Sequence, residues 1–278
     1  MSDGKLPVLP PLFKLGLEPL AAEDWLFQPE EPAHHMALKH RLIAERPKDV
    51  FVAEGGTEDS QQEALTLIEA HLGRKASAEG RRTEPPLLLA ARMIADDLVI
   101  MRRGEAGWRL VAACVCFPSS WNLRAKFSKP MGVIHQEVPG FAQGMRPATI
   151  IERIFDRLSP EQLLLRWNWS LYKTDELHHP EPAELVSARD QGVLVEDPYV
   201  RTERQTLRKL AGSGDVLFAI GVEVKPISAW PDTPQRREVL AGLAQNLDAL
   251  TSDELNYKGL SAVRDRLSAS LRSRATGN

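Results

Sequence analysis

Cysteine is scarce in this chain: 278 residues include only Cys114 and Cys116. Two thiols supply neither a disulfide framework nor the four thiolates of a zinc or iron–sulfur site. Long apolar runs are missing as well. None reaches the roughly 18 residues that cross a bilayer, and residues 1–14 lack the basic stretch, apolar core and cleavage site of a secretory signal. The expectation is a soluble cytoplasmic protein with no membrane partner. An excess of one charge is also missing, with 35 Lys and Arg against 38 Asp and Glu and a net charge of -3. That balance argues against a protein built to neutralise nucleic-acid phosphates. Dinucleotide-binding glycine turns, P-loops and nucleophile elbows are absent too. What is there is 43% hydrophobic content, ordinary for a chain that buries a real core.

Residues 1–32 are rich in proline and carry scattered apolar anchors, among them Leu9, Leu12, Leu17, Trp25 and Phe27. They predict an extended wrap over a surface rather than a free tail. Helical periodicity follows over 33–46 and 60–72, the second stopped by Gly73, and Pro85-Pro86 opens a third helix over 87–95. Residues 75–82 read as a polar link. The period then changes. Apolar runs at 98–101 and 108–117, joined by a glycine turn at 104–107, predict a β-hairpin. Leu163, Leu165, Trp167, Trp169 and Leu171 alternate with Arg166, Asn168 and Ser170, and further strands are expected over 200–207 and 216–224. A helix over 148–158 interrupts the strands, and amphipathic helices over 235–250 and 253–271 close the chain. Five strands without βαβ alternation, with helices at both ends, predict an α+β fold built on an antiparallel sheet. The division expected is a wrap over 1–32, a single domain over 33–272 and a frayed tail over 273–278.

Segment 116–141, CFPSSWNLRAKFSKPMGVIHQEVPGF, leaves a strand with both faces apolar and carries one histidine, His135, beside Val133, Ile134 and Val138. A long loop rich in Pro, Gly and aromatics, too apolar for disorder, suits binding. His135 reads either as a satisfied structural residue or as an axial heme ligand, which needs an imidazole in an apolar pocket. The pairs His34–His35 and His178–His179 are adjacent rather than spaced to converge, and read as solvated surface or, less simply, as metal sites. Cys114 and Cys116, two apart on one strand, read as small core residues. Arg166 with Asn168, and Arg204 with Thr206, are either a solvent-facing strand surface or the lining of a pocket whose ligand has its own charge.

Four segments then stand in order: FPSSW at 117–121, IHQEVPGF at 134–141, RWNWSLY at 166–172 and RTERQTLRKL at 201–210. Over roughly residues 12–260 they resemble the heme-dependent oxidative N-demethylase family. The resemblance implies a PAS-like fold, a five-stranded antiparallel sheet with flanking N- and C-terminal helices, holding heme b. It implies oxidation of a small methylated amine such as dimethylamine with O2, giving a carbinolamine that collapses to formaldehyde and the demethylated amine. Electrons in that family come from NADPH through FMN and an iron–sulfur cluster. With two cysteines and no dinucleotide fingerprint, this chain would take them from a separate reductase subunit. A heme-based sensor or binding module without turnover is the other reading, because fold does not settle function.

With heme as the implied cofactor, His135 is preferred as the iron ligand over its competitors His178 and His179, with Trp121, Phe141 and Arg166 against the cofactor. Arg204, Asn168 and Glu203 are expected where oxygen and amine meet. A guanidinium there stabilises developing negative charge, and a carboxylate holds or deprotonates an alkylammonium. Alternation puts Arg204 and Glu203 on opposite faces of a regular strand, so both enter one pocket only if a bulge intervenes. Arg204 is the preferred member. Two positions depart from the family, which often has proline where Glu137 and Ala211 stand; Glu137 brings charge close to the expected ligand.

Overall fold

A computed structural model describes residues 6–7, 9–13, 16–76, 83–141, 146–181 and 188–277. Residues 1–5, 8, 14 and 15 of the expected wrap, and 77–82 of the expected link, lie outside the described residues.

Seven strands form one sheet: β1 Glu18–Pro19, β2 Phe51–Ala53, β3 Asp97–Gly104, β4 Gly107–Cys114, β5 Leu163–Tyr172, β6 Tyr199–Lys209 and β7 Val216–Pro226. Their order is β1-β5-β6-β7-β3-β4-β2, and every pairing is antiparallel. The five expected strands are β3 to β7, and the α+β class holds. The sheet is larger than the five strands expected, because β1 and β2 are too short to show a period of two. The β3–β4 hairpin closes as expected between Gly104 and Gly107. Gly107 has φ +103, a conformation that L side chains rarely adopt, so the turn favours glycine; a Cβ there would also stand 2.6 Å from Glu152 Oε1, the flexible end of a side chain that can give way.

The sheet has two differently covered faces. One face carries Leu98, Ile100, Ala112, Cys114, Leu217 and Ala219 against helices Glu58–Leu72 and Pro86–Ala91. At its far edge Trp169, Leu171 and Val200 pack on helices Pro234–Asp248 and Arg264–Thr276. The other face carries Val99, Met101, Leu110, Ala113, Leu207 and Val216. It lies under Leu123 and Met131 of the 117–141 segment and Phe155 of helix Arg146–Arg157. β4 is buried on both faces, as its apolar alternation requires. Cys114 and Cys116 are free and buried.

Three helical expectations change. The single helix over 253–271 is two, Ser252–Tyr257 and Arg264–Thr276, separated by Gly259 at φ +68, where a right-handed helix cannot continue. The tail expected to fray from 273 instead stays helical to Thr276 and stops at Gly277 in the left-handed conformation. A helix over Ala188–Glu196 has no counterpart in the sequence reading.

Candidate functional site

Alternation along β5 and β6 assembles one polar patch. Arg166 stands opposite Gln205, Asn168 opposite Glu203 and Ser170 opposite Arg201, on the face that also carries Leu207 under the 117–141 segment. Arg166 Nη1 donates to Gln205 Oε1 at 2.6 Å. Asn168 Nδ2 and Gln205 Nε2 both donate to Glu203 Oε2, at 3.2 and 2.9 Å. Arg201 is fully buried, donates to the carbonyls of Leu177 and Phe117, and brings Nε to 3.7 Å from Glu203 Oε1. Glu203 is therefore the hub of the patch.

Next to these polar groups the same face is apolar and incompletely covered. Leu164, Phe218 and Ile220 from the sheet, and Trp121, Phe127 and Ile134 from the loop, pack on this core yet stay only partly buried. Phe218 and Ile220 belong to a central strand, where full burial is the ordinary outcome. The face is thus a half-open apolar floor. Past His135 the surface opens into a cleft of ≈ 430 Å³ whose walls include Glu137, Pro139, Asp253, Asn256 and Tyr257. A larger cleft of ≈ 540 Å³ lies elsewhere, beside Arg102. There Arg102 is matched to Asp215 and Ser60, so its polar groups are already satisfied.

Pro130 starts the short helix Met131–Ile134, and His135 ends it. The fixed φ of proline suits the residue that opens a turn of helix. The result points His135 Nδ1 back at the Met131 carbonyl, 2.9 Å away. A carbonyl only accepts, so the proton sits on Nδ1, and Nε2 keeps its lone pair. Among the described residues no group hydrogen-bonds Nε2. Burial pushes the imidazole down to about 4, with Lys126 and Arg166 repelling the charged form and the Met131 carbonyl opposing them. His135 is therefore neutral at physiological pH, the state a metal ligand needs. The Phe141 ring lies 6.4 Å from it, tilted by 43°.

His178, His179 and His35 each have at least one ring nitrogen engaged. His178 Nδ1 meets the Cys116 carbonyl at 2.7 Å and its Nε2 faces Arg46. His179 Nε2 donates to the Glu176 carbonyl, and its ring stacks on Tyr172 at 4.4 Å. His35, expected at the surface, is buried between the carbonyls of Glu31 and Val222.

The structure brings His135, Trp121, Phe141, Arg166, Asn168 and Glu203 to one side of the sheet. It does not bring Arg204. β6 runs without a bulge against both neighbours, so Arg204 faces the opposite way from Glu203. Its guanidinium donates to the carbonyls of Asp24 and Trp25 and anchors the N-terminal segment. The shared pocket of Arg204 with Asn168 is not formed, for the reason alternation supplied.

Sequence reasoning placed Arg201 and Gln205 on the face of Glu203 without making them site residues, and it passed over Lys126 and Lys258. Arg201 and Gln205 were findable, since each is two residues from Glu203 on a strand. Lys126 had no signal beyond its place in the loop; its Nζ lies 4.8 Å over the Trp121 ring. Lys258 had none, because it arrives from the C-terminal helices. Its Nζ donates to the Trp169 carbonyl at 3.2 Å and to Ser170 Oγ at 2.9 Å. Together the face offers one neutral nitrogen donor, an accessible apolar floor, a held carboxylate and several cations.

No curated protein matches the chain. The family model described as haem-dependent oxidative N-demethylase, alpha subunit-like, matches residues 71–268, a span that contains the 117–141 segment, β5, β6 and every residue of the polar patch, Lys258 included. The chain belongs to the haem-dependent oxidative N-demethylase, alpha subunit-like family.

Proposed function

We propose that this chain is the heme-binding, oxidising subunit of an oxidative N-demethylase that acts on a small methylated amine such as dimethylamine. The observation that carries the reading is His135: a neutral imidazole with its Nδ1 proton committed to Met131 and a free Nε2 beside a half-open apolar face. These residues fit a heme b. His135 Nε2 would hold the iron, while Trp121, Phe141 and the sheet face would hold the macrocycle. When bound, the heme supplies O2 activation and the oxidation of a methyl group, which leaves as formaldehyde.

The chain's own residues supply placement and proton handling. Asn168 and Gln205 fix Glu203 through Oε2, leaving Oε1 to accept an N–H from an alkylammonium and to take its proton before oxidation. Arg201 Nε stands 3.7 Å from that Oε1. Five long antiparallel strands with helices before and after support a PAS-like core, which the short β1 and β2 extend. Electrons would come from NADPH through FMN and an iron–sulfur cluster on a separate reductase subunit; two buried cysteines do not make a four-thiolate cluster. Free thiols also favour a reducing, cytoplasmic setting. No helix among the described residues is long and apolar enough to cross a membrane.

The test is to supply heme during expression, reduce the protein under air with dimethylamine present, and assay formaldehyde. Formaldehyde in proportion to electrons supplied is expected, and His135→Ala should abolish the Soret band. A Soret band without formaldehyde would replace the enzyme with a heme-binding module. An unchanged Soret band in His135→Ala would move the ligand elsewhere.

A further inference from the structure

We propose that Lys126 and Lys258 form a clamp for the two carboxylates of the bound heme, one ammonium from the loop and one from the C-terminal helices. This rests on the heme reading above and concerns how the chain orients that group.

The argument begins with unbalanced charge. Among the described residues no carboxylate lies within ion-pair distance of Lys126 or Lys258. Glu203, the carboxylate at the centre of this face, already accepts from Asn168 and Gln205 and is paired with Arg201. Burial pulls both lysines below the ordinary lysine range, Lys258 to about 8, although Glu137 and then Glu203 favour the charge on Lys126, and Glu203 that on Lys258. Arg166 is a further cation of the same face and works against the charge on both Lys258 and His135. Removing ammonium groups from water without a counter-ion costs several kcal/mol. An anion that enters between them offsets that cost.

The donors are suitably spare. Lys258 spends two N–H groups on the Trp169 carbonyl and Ser170 Oγ, and an ammonium has three. Lys126 Nζ lies over the Trp121 ring, a cation–π contact that leaves its N–H groups free to turn outward. Both side chains are long and flexible, so they can follow two carboxylates on one edge of a macrocycle. Both also stand on the side of the sheet where His135 presents Nε2.

The experiment titrates the purified chain, expressed without added porphyrin, with hemin and with hemin dimethyl ester, following the Soret band. The ester keeps the iron and the ring and removes both charges. The diacid should bind more tightly than the diester. Lys126→Met and Lys258→Met should each weaken the diacid by about tenfold, the size of one charge-assisted hydrogen bond, and leave the diester unchanged. Lys126→Arg and Lys258→Arg should retain most of the preference, which separates charge from misfolding. A diacid-to-diester ratio that is the same in wild type and both Met variants overturns the clamp while leaving the heme reading intact. A folded chain that gives no Soret band with either porphyrin overturns both.

Discussion

Glu203 and Arg204 are neighbours on one strand and almost equally buried, at 8% and 9% exposure, yet they belong to different parts of the molecule. On the Arg204 face the partners are backbone. Arg204 donates to the carbonyls of Asp24 and Trp25, Asp96 accepts from the Phe27 amide, and Gly221 leaves room for the Phe27 ring. Those groups are fixed to a segment that they fasten to the sheet. On the other face Glu203's own hydrogen-bond partners are side chains, and the neighbouring apolar residues are left partly open. Such a network can exchange one of its bonds for a ligand. Burial alone does not separate a strap from a site; the kind of partner does.

The largest expected effect lies on the Glu203 side. Glu203→Gln keeps the shape and the hydrogen bond from Asn168 but removes the base. It should hold heme and slow formaldehyde release by about two to three decades, as losing a general base does. Wild-type turnover in that variant would remove the carboxylate from the reaction. Arg204→Ala should do the reverse. It leaves two buried carbonyls without their donor, and Asp96 with Lys39 but not Arg204, and should cost about 3 kcal/mol in a denaturant titration. Turnover per folded molecule should stay within a factor of two or so of wild type, well inside the spread of one weak interaction. Normal stability with turnover lost by decades would reverse the comparison and put Arg204 in the site.

The choice between these two arginine-bearing faces marks how far the sequence carries. The long strands were legible because β5 to β7 alternate over ten or eleven residues, and because β3 and β4 carry apolar runs on either side of a glycine turn. β1 has two residues and β2 three, too few for any period. Alternation also showed that Arg204 and Glu203 point apart. It did not show which face would be filled by the N-terminal segment, because that depends on where Trp25 and Phe27 dock. Loop histidine His135 was legible as the one histidine of a proline-rich loop, beside Val133, Ile134 and Val138. Its tautomer was not. The acceptor is the Met131 carbonyl, one helical turn back. Lys258 was invisible because only the tertiary fold brings it to Ser170.

A smaller effect sharpens the strap itself. A Cβ at Gly221 would stand 2.2 Å from Phe27 Cγ and 2.3 Å from its Cβ, the stem of that side chain rather than its flexible end. Gly221→Ala must therefore push the Phe27 segment off the sheet, at about 2 kcal/mol, the usual cost of overpacking. The expected signature is a lower melting temperature and faster proteolysis near residue 27, with the His135-dependent Soret band unmoved. A Soret shift would show that the two faces are coupled through the sheet.

The smallest effect is a pH dependence carried by Asp96, the carboxyl under the strap. Burial pushes it up to about 7, even though Lys39, the Phe27 amide and Arg204 all favour the charged form. Its Oδ1 is buried with no hydrogen-bond partner among the described residues. In the unfolded chain the same group titrates near 4. The folded state therefore holds this proton more tightly, so the contribution to stability is full below about pH 4 and declines as pH rises through 7. Between pH 6 and 8 the unfolded state is already ionised while the folded state is halfway, and the loss amounts to about 1.4 kcal/mol. Asp96→Asn, which keeps an oxygen for the Phe27 amide, should remove that part of the slope when denaturant midpoints are measured across this range. If the slope survives in Asp96→Asn, Lys39 and Arg204 already hold Asp96 ionised. The strap would then be fastened by a full charge, and the two faces of β6 would each turn on a carboxylate.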